Sequence, residues 1–91
     1  MMKTNDIVSI VTSVGEFVGK LVSIEEDCVK IKEPRMIVHN QGGMGFAAGV
    51  SMAGEESPAE VDFYKTNIVF VGHTNEGVQS AYRQFTTGLI V

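Results

Sequence analysis

The stretch that most constrains the fold is residues 7–31, which read IVSIVTSVGEFVGKLVSIEEDCVKI. β-branched residues dominate it, and its side chains alternate with a period of two instead of forming a stripe at helical spacing. Short breaks at residues 14–15 and 25–27 divide it into three strands. Gly19 inside the second strand predicts strong bending or a close backbone approach. Such a bent antiparallel meander usually closes into a small barrel, because closure removes its exposed edges.

Composition limits the chain to a few classes of protein. Its 91 residues form one domain, residues 1–91, and a hydrophobic content of 44% argues against disorder. No run approaches the roughly 20 apolar residues that span a bilayer, and the N-terminus lacks the apolar centre of a signal peptide. The single cysteine, Cys28, fits a reducing compartment. We therefore expect a cytoplasmic protein without a membrane segment.

The charge balance disfavours broad binding to a nucleic-acid backbone. The net charge is −4, from 11 acidic and 7 basic residues, whereas phosphate binding needs clustered Lys and Arg. Four basic residues fall within sixteen positions, but acidic residues sit among them; the four are Lys20, Lys30, Lys32 and Arg35. Interspersed charge of this kind predicts a mixed, solvated face, and a local basic patch is the alternative.

Outside the meander, the pattern predicts barrel strands within residues 7–40 and 60–73. Residues 1–6 are a polar lead-in, either one helical turn or frayed. Pro34 lacks a backbone donor, so strand pairing should break or bulge there. Residues 65–67 read as a turn or kink, and the apolar run at 68–71 predicts a strand that is covered on both faces.

Residues 41–59 are predicted to form a long glycine-rich loop. Five of the ten glycines lie there, and glycine disfavours a stable helix or strand. The segment GGMGFAAG lacks the Gly-Lys-Ser/Thr ending of a phosphate-binding loop. Its apolar residues either pack on a neighbouring subunit or line an opening, or else the segment is a disordered hairpin tip. These residues are Met44, Phe46, Val50 and Met52.

A C-terminal helix and tail are predicted within residues 76–91. The helical stripe consists of Val78, Ala81, Tyr82 and Phe85. Either Thr74 or Asn75 would cap the helix, and Gly88 would end it. The apolar triplet at 89–91 is expected to dock on the sheet or on another subunit.

Two segments resemble motifs of the Sm/Lsm-like family. Residues 14–22, VGEFVGKLV, look like the first motif, in which a turn glycine precedes a strand containing Gly-x-Leu, and Glu25 falls where the family usually has Asp. Residues 64–71, YKTNIVFV, look like the second, typically Ile-Arg-Gly-x-x-Ile before an apolar strand. The resemblance covers about residues 7–73 and implies a barrel that assembles into rings by pairing its last two strands between neighbours. It also implies single-stranded RNA bound near the pore. An SH3-like or OB-like barrel is the alternative.

The departures from the family pattern weaken the expectation of RNA binding more than the expectation of ring assembly. Cys28 or Val29 occupies the place of the family's base-binding Asn, and Lys65-Thr66 replaces its Arg-Gly pair. Lysine keeps the charge but loses the planar guanidinium surface. The acidic residues 25–27 would oppose phosphate nearby. These changes suggest a divergent branch, of phage or viral type.

No catalytic or metal-binding signature emerges, so we expect no enzyme, cofactor or small-molecule substrate. The spacing of Cys28, His39 and His73 matches no zinc pattern. Cys28 lacks an activating partner, and the acids at 25–27 fit a polar turn. His39 is a better candidate for a polar contact with a base or a partner.

The sequence therefore predicts a mainly β protein, a small strongly bent five-stranded antiparallel barrel (Sm-like/SH3-like) with a short C-terminal helix. The expected function is a non-enzymatic homo-oligomeric ring that binds single-stranded RNA, with residues 41–58 shaping the pore. The candidate RNA-binding residues are Lys65, Thr66, Asn67, Glu25, His39 and Asn40. The alternative is a structural or assembly ring module, compatible with a phage protein, that makes protein–protein contacts without binding RNA.

Overall fold

The computed structural model describes residues 2–40, 42–50 and 54–87. Six strands, one 3₁₀ turn and one helix follow each other along these described residues. They are β1 (Ile7–Thr12), β2 (Gly15–Ile24), β3 (Cys28–Asn40), β4 (Gly43–Phe46), β5 (Glu60–Tyr64), the 3₁₀ turn (Lys65–Asn67), β6 (Ile68–His73) and α1 (Glu76–Thr87). The described helix is not long and apolar enough to cross a membrane.

All strand pairs are antiparallel, in the order β4-β3-β2-β1-β6, and β5 pairs with the first part of β3. β5, which lies off this path, and β6, which ends it, are joined by the 3₁₀ turn. They do not pair with each other within the described chain, so the sheet is not closed. The predicted antiparallel meander, the kink at 65–67 and the C-terminal helix are thus confirmed. The closed barrel is not established.

A bulge between β2 and β3 bends the sheet where the sequence places Gly19 and Pro34. The register changes from Val18 opposite Arg35 to Lys20 opposite Lys32, so that one residue of β2 faces two of β3. A Cβ atom on Gly19 would clash with the Ile31 side chain and lie 3.1 Å from Pro34 Cα. Both predictions, the close approach and the bulge, are confirmed.

The apolar core occupies both faces of the central strands. On one face six residues pack together and form what we call the inner core: Val8, Ile10, Phe17, Leu21, Val29 and Ile31. On the other face Ile7 and Val18 pack against Tyr82 of α1. Because successive residues of a strand point to opposite faces, β1 contributes to both clusters.

The helix α1 is held by its cap and by one buried tyrosine. The Asn75 side-chain oxygen accepts a hydrogen bond from the Val78 N–H at 2.9 Å, which confirms Asn75 as the cap. Tyr82 is fully buried, but Ala81 and Phe85 are exposed, so the buried stripe is narrower than the spacing predicts. The predicted roles of Gly88 and of residues 89–91 lie outside the described residues.

The prediction of a loop throughout residues 41–59 is wrong for Gly43–Phe46, which form β4. This strand pairs with the end of β3, for example Met44 opposite His39. The pairing supplies backbone hydrogen bonds that composition alone does not reveal. Phe46 packs against Tyr82 of its own chain, with ring centroids 6.1 Å apart. Residues 41 and 51–53, which include Met52, lie outside the described residues.

Candidate functional site

β6 carries two adjacent apolar residues that are both largely exposed. Val69 is 68% exposed and Phe70 is 56% exposed. The prediction that the run at 68–71 is covered on both faces is therefore wrong. β6 lies at the end of the strand order and, among the described residues, pairs only with β1. Neither the inner core nor α1 covers these two side chains.

A bulge in β6 explains the exposure of Val69. Thr12 of β1 lies opposite Ile68, and Val11 lies opposite Phe70, so the register shifts across this step. Val69 is left without a partner in the ladder, as expected for the extra residue of a bulge. The outer edge of β6 thus presents apolar side chains together with backbone donors and acceptors.

An open apolar cleft of about 310 Å³ lies where β5 ends and β6 begins. Tyr64, Ile68 and the exposed Val14 line it. Phe63 packs inward on Phe17 with ring centroids 5.1 Å apart, whereas Tyr64 is exposed. Both rings line the cleft, and Tyr64 is the exposed aromatic ring at the corner between β5 and β6.

Two of the candidate RNA-binding segments meet at this corner. Lys65, Thr66 and Asn67 form the exposed 3₁₀ turn. The Lys65 N–H donates to the Asp27 carbonyl at 2.9 Å, which fixes the turn beside the β2–β3 connection that carries Glu25. The structure therefore brings the 65–67 segment and the acidic 25–27 segment together.

His39 and Asn40 do not join that corner within one chain. They lie at the far end of the 13-residue strand β3, opposite Met44 and Gly43 of β4. The β2–β3 connection precedes the other end of the same strand. The predicted RNA-binding set thus divides into two separate groups.

Many of the basic side chains are already engaged with other groups. Lys20 pairs with Glu33 at 3.0 Å, and Lys30 pairs with Asp62 at 3.1 Å. The hydrogen bond to Asp62 raises the pKa of Lys30. Arg35 is buried, and its guanidinium carbon lies 6.0 Å from the centroid of the Phe85 ring. The two lysine–acid pairs agree with the mixed charge that the sequence predicts, whereas the solvated position predicted for Arg35 is wrong, because Arg35 is buried.

The residues considered as catalytic groups or metal ligands lie apart from one another. Cys28 is buried, and burial raises the pKa of its thiol, which disfavours a nucleophilic thiolate. His73 is the last residue of β6, at the end of the strand away from the 3₁₀ turn. Its Nε2 lies 3.3 Å from the Asp6 carboxylate. Within the described residues, no group of three or more His, Cys, Asp or Glu side chains is placed to hold a metal ion.

Sequence reasoning missed the exposed edge of β6 and the strand β4. The available signal for the edge was a last strand, residues 68–72, that contains neither a charge nor a proline. A scan of protein-family models finds no match, and a search of curated proteins finds no significant match.

Proposed function

We propose that this chain is a non-enzymatic assembly module that forms Sm-like rings by pairing β6 of one copy with β5 of the next. The single observation that carries this proposal is the exposed apolar edge of β6 at Val69 and Phe70. Exposed apolar edge strands are avoided in monomers, because they template pairing with another chain.

The two edges differ in a way that suits them to each other. β6 reads IVFVGH and has no acidic or basic residue before His73, whereas β5 reads EVDFY. Asp62 of β5 is paired with Lys30, so its charge is partly neutralised within the chain. Two unlike edges make a head-to-tail contact, which closes into a ring when the rotation between copies allows it. The strong bend of the sheet and the short link between β5 and β6 support this Sm-like arrangement.

The assembly proposal predicts that a charge on the β6 edge yields monomers. Phe70→Lys would place an ammonium group inside the apolar contact, where its desolvation is unfavourable. Native mass spectrometry and sedimentation velocity should show a defined oligomer for the wild type and a monomer for Phe70→Lys. Ile24→Lys is the matched control, because Ile24 is similarly exposed at 51% but lies at the end of β2.

Two results would contradict this proposal. A wild-type chain that stays monomeric at every concentration tested would remove the ring. Loss of the oligomer in Ile24→Lys, with Phe70→Lys unaffected, would move the interface away from β6. Circular dichroism of each variant checks that the fold is retained.

RNA binding is the second candidate function, and one observation favours it. The hydrogen bond from Lys65 to Asp27 holds the 65–67 turn exposed beside the aromatic Tyr64, and an exposed ring offers a stacking surface for a base. The acidic 25–27 connection at the same corner opposes phosphate, which makes this candidate weaker than assembly.

If the oligomer binds RNA, Lys65→Ala should weaken the binding of a short uridine-rich RNA and flatten its salt dependence. Loss of one phosphate contact lowers the slope of log affinity against log salt by about 0.7 for a single strand. Fluorescence anisotropy at several salt concentrations measures this. Lys32→Ala, an exposed lysine on β3, is the control. Equal affinities for wild type and Lys65→Ala would exclude the 65–67 turn as the RNA site.

A further inference from the structure

A polar pocket of about 340 Å³ lies between α1, β2 and the last residue of β6, away from the 65–67 corner. Its volume is at the small end of the range for ligand sites in proteins. Polar and charged side chains form most of its wall: Asn5, Asp6, Lys20, His73, Gln79 and Arg83.

We infer that this pocket binds a small oxyanion, the phosphate or carboxylate group of a small metabolite, between Lys20 of β2 and Arg83 of α1. Both cationic side chains line the same pocket from different elements. Two cations on different elements suit an oxyanion, which accepts charge-assisted hydrogen bonds from both. This inference is independent of the assembly proposal, since the pocket lies at the α1 side of the sheet.

The Arg83 guanidinium is held at the pocket by its own helix. Its Nη2 donates to Gln79 Oε1 at 3.1 Å, and Gln79 Nε2 donates in turn to the Thr74 carbonyl at 2.7 Å. Gln79 and Arg83 are one helical turn apart, so their side chains lie on the same face. The contact with Gln79 orients a guanidinium that carries five N–H donors in all.

Lys20 is positioned from the other side by an acid that does not line the pocket. Its Nζ lies 3.0 Å from Glu33 Oε1, and an ammonium group has three donors. The acid that does line the pocket is Asp6, whose Oδ2 accepts from the Lys3 N–H at 2.8 Å and lies 3.3 Å from His73 Nε2. A carboxylate in the wall would repel an extended polyanion more than a compact group with a single charged end. The chemistry therefore favours a small metabolite over a nucleic-acid strand.

The pocket exists only while α1 is docked, because Gln79 and Arg83 belong to α1. The helix is anchored by the Tyr82 hydroxyl, which donates to the Glu33 carbonyl at 2.7 Å. An oxyanion that bridges β2 and α1 must therefore stabilise the docked helix by mass action. Slower amide exchange in α1 is a readout that nonspecific surface binding would not produce.

The test is an NMR titration of the full chain with inorganic phosphate and, separately, with acetate, at constant ionic strength set with chloride. Saturable shifts of the Lys20, Gln79 and Arg83 amides, with slower exchange in α1, are expected for at least one of the two anions. Saturation by phosphate alone identifies a phosphate group as the ligand, and saturation by acetate alone identifies a carboxylate. Arg83→Gln should weaken the binding about tenfold, the loss typical of one charge-assisted hydrogen bond.

Lys20→Gln is the second variant, and Lys32→Gln, on the neighbouring strand, is the matched control. Lys20→Gln should weaken binding like Arg83→Gln, and Lys32→Gln should leave it unchanged. Linear, unsaturable shifts with both anions would overturn the inference. So would saturable binding that survives in both Arg83→Gln and Lys20→Gln.

Discussion

β1 and β6 are neighbouring antiparallel strands with a similar apolar character, yet only β1 is buried. Ile10 of β1 is fully buried opposite Val71 of β6, whereas Phe70, the residue before Val71, is more than half exposed. β1 lies between β2 and β6, with the inner core on one face and α1 on the other. β6 lies at the end of the strand order. Apolar residues therefore specify that a segment is a strand, but the position of the strand in the sheet decides whether its side chains are covered.

The largest expected effect comes from a matched pair of truncations, one in each of these two strands. Ile10→Ala should lower the free energy of unfolding by about 2–4 kcal/mol, because it leaves a cavity in the inner core. Phe70→Ala should cost about 1 kcal/mol within one chain, because its ring is more than half exposed. Urea unfolding at low and high protein concentration measures both losses.

The concentration dependence sharpens the comparison. If β6 pairs between copies, the loss in Phe70→Ala should grow with protein concentration, since assembly stabilises the folded state. The loss in Ile10→Ala should stay the same at both concentrations. If the loss of stability in Phe70→Ala does not depend on protein concentration, the exposure of β6 has a reason other than self-assembly.

Local rules in the sequence predicted much of the fold. Gly19 and Pro34 marked the bulge because each has a backbone property that other residues lack. Asn75 marked the start of α1 through its capping side chain. The strand β4 could not be predicted in this way, because its glycines disfavour a strand until the end of β3 offers them hydrogen bonds. The exposure of Phe70 depends on the strand order, which is a property of the whole sheet.

The candidate site was predictable only in part. The sequence motifs selected Lys65 and Glu25 separately, and the structure brings their two segments together through the Lys65–Asp27 hydrogen bond. His39 lies at the far end of β3. Its distance from the 65–67 turn cannot be predicted from the sequence unless the pairing of the strands is known. The pocket between Lys20 and Arg83 joins residues that are far apart in the sequence, so no local motif marks it.

A smaller effect tests how α1 covers the second face of β1. Tyr82→Phe removes the hydroxyl that donates to the Glu33 carbonyl and should cost about 1–2 kcal/mol. Burial raises the pKa of Tyr82, so this hydroxyl remains a donor in mildly basic solution. Hydrogen exchange should become faster at Ile7, which packs on Tyr82, and stay unchanged at Val71. Tyr64→Phe, at an exposed position, is the control; an equal loss there would rule out a special role for the Tyr82 hydroxyl.

The smallest expected effect concerns the polar contact between the start of β1 and the end of β6. The Lys3 backbone N–H, with a further contribution from His73, lowers the pKa of Asp6 below its usual 3.8. A lowered folded-state pKa means that this contribution to stability is present above pH 3.8 and is lost as the pH falls through the folded pKa. Asp6→Asn should therefore be less stable than wild type at neutral pH, and the gap should close in acid. His73→Gln should keep most of the pH dependence, because the Lys3 N–H is the larger cause. Urea midpoints across the acid range measure this, and a gap that persists in strong acid would show that Asp6 acts through packing and not through its charge.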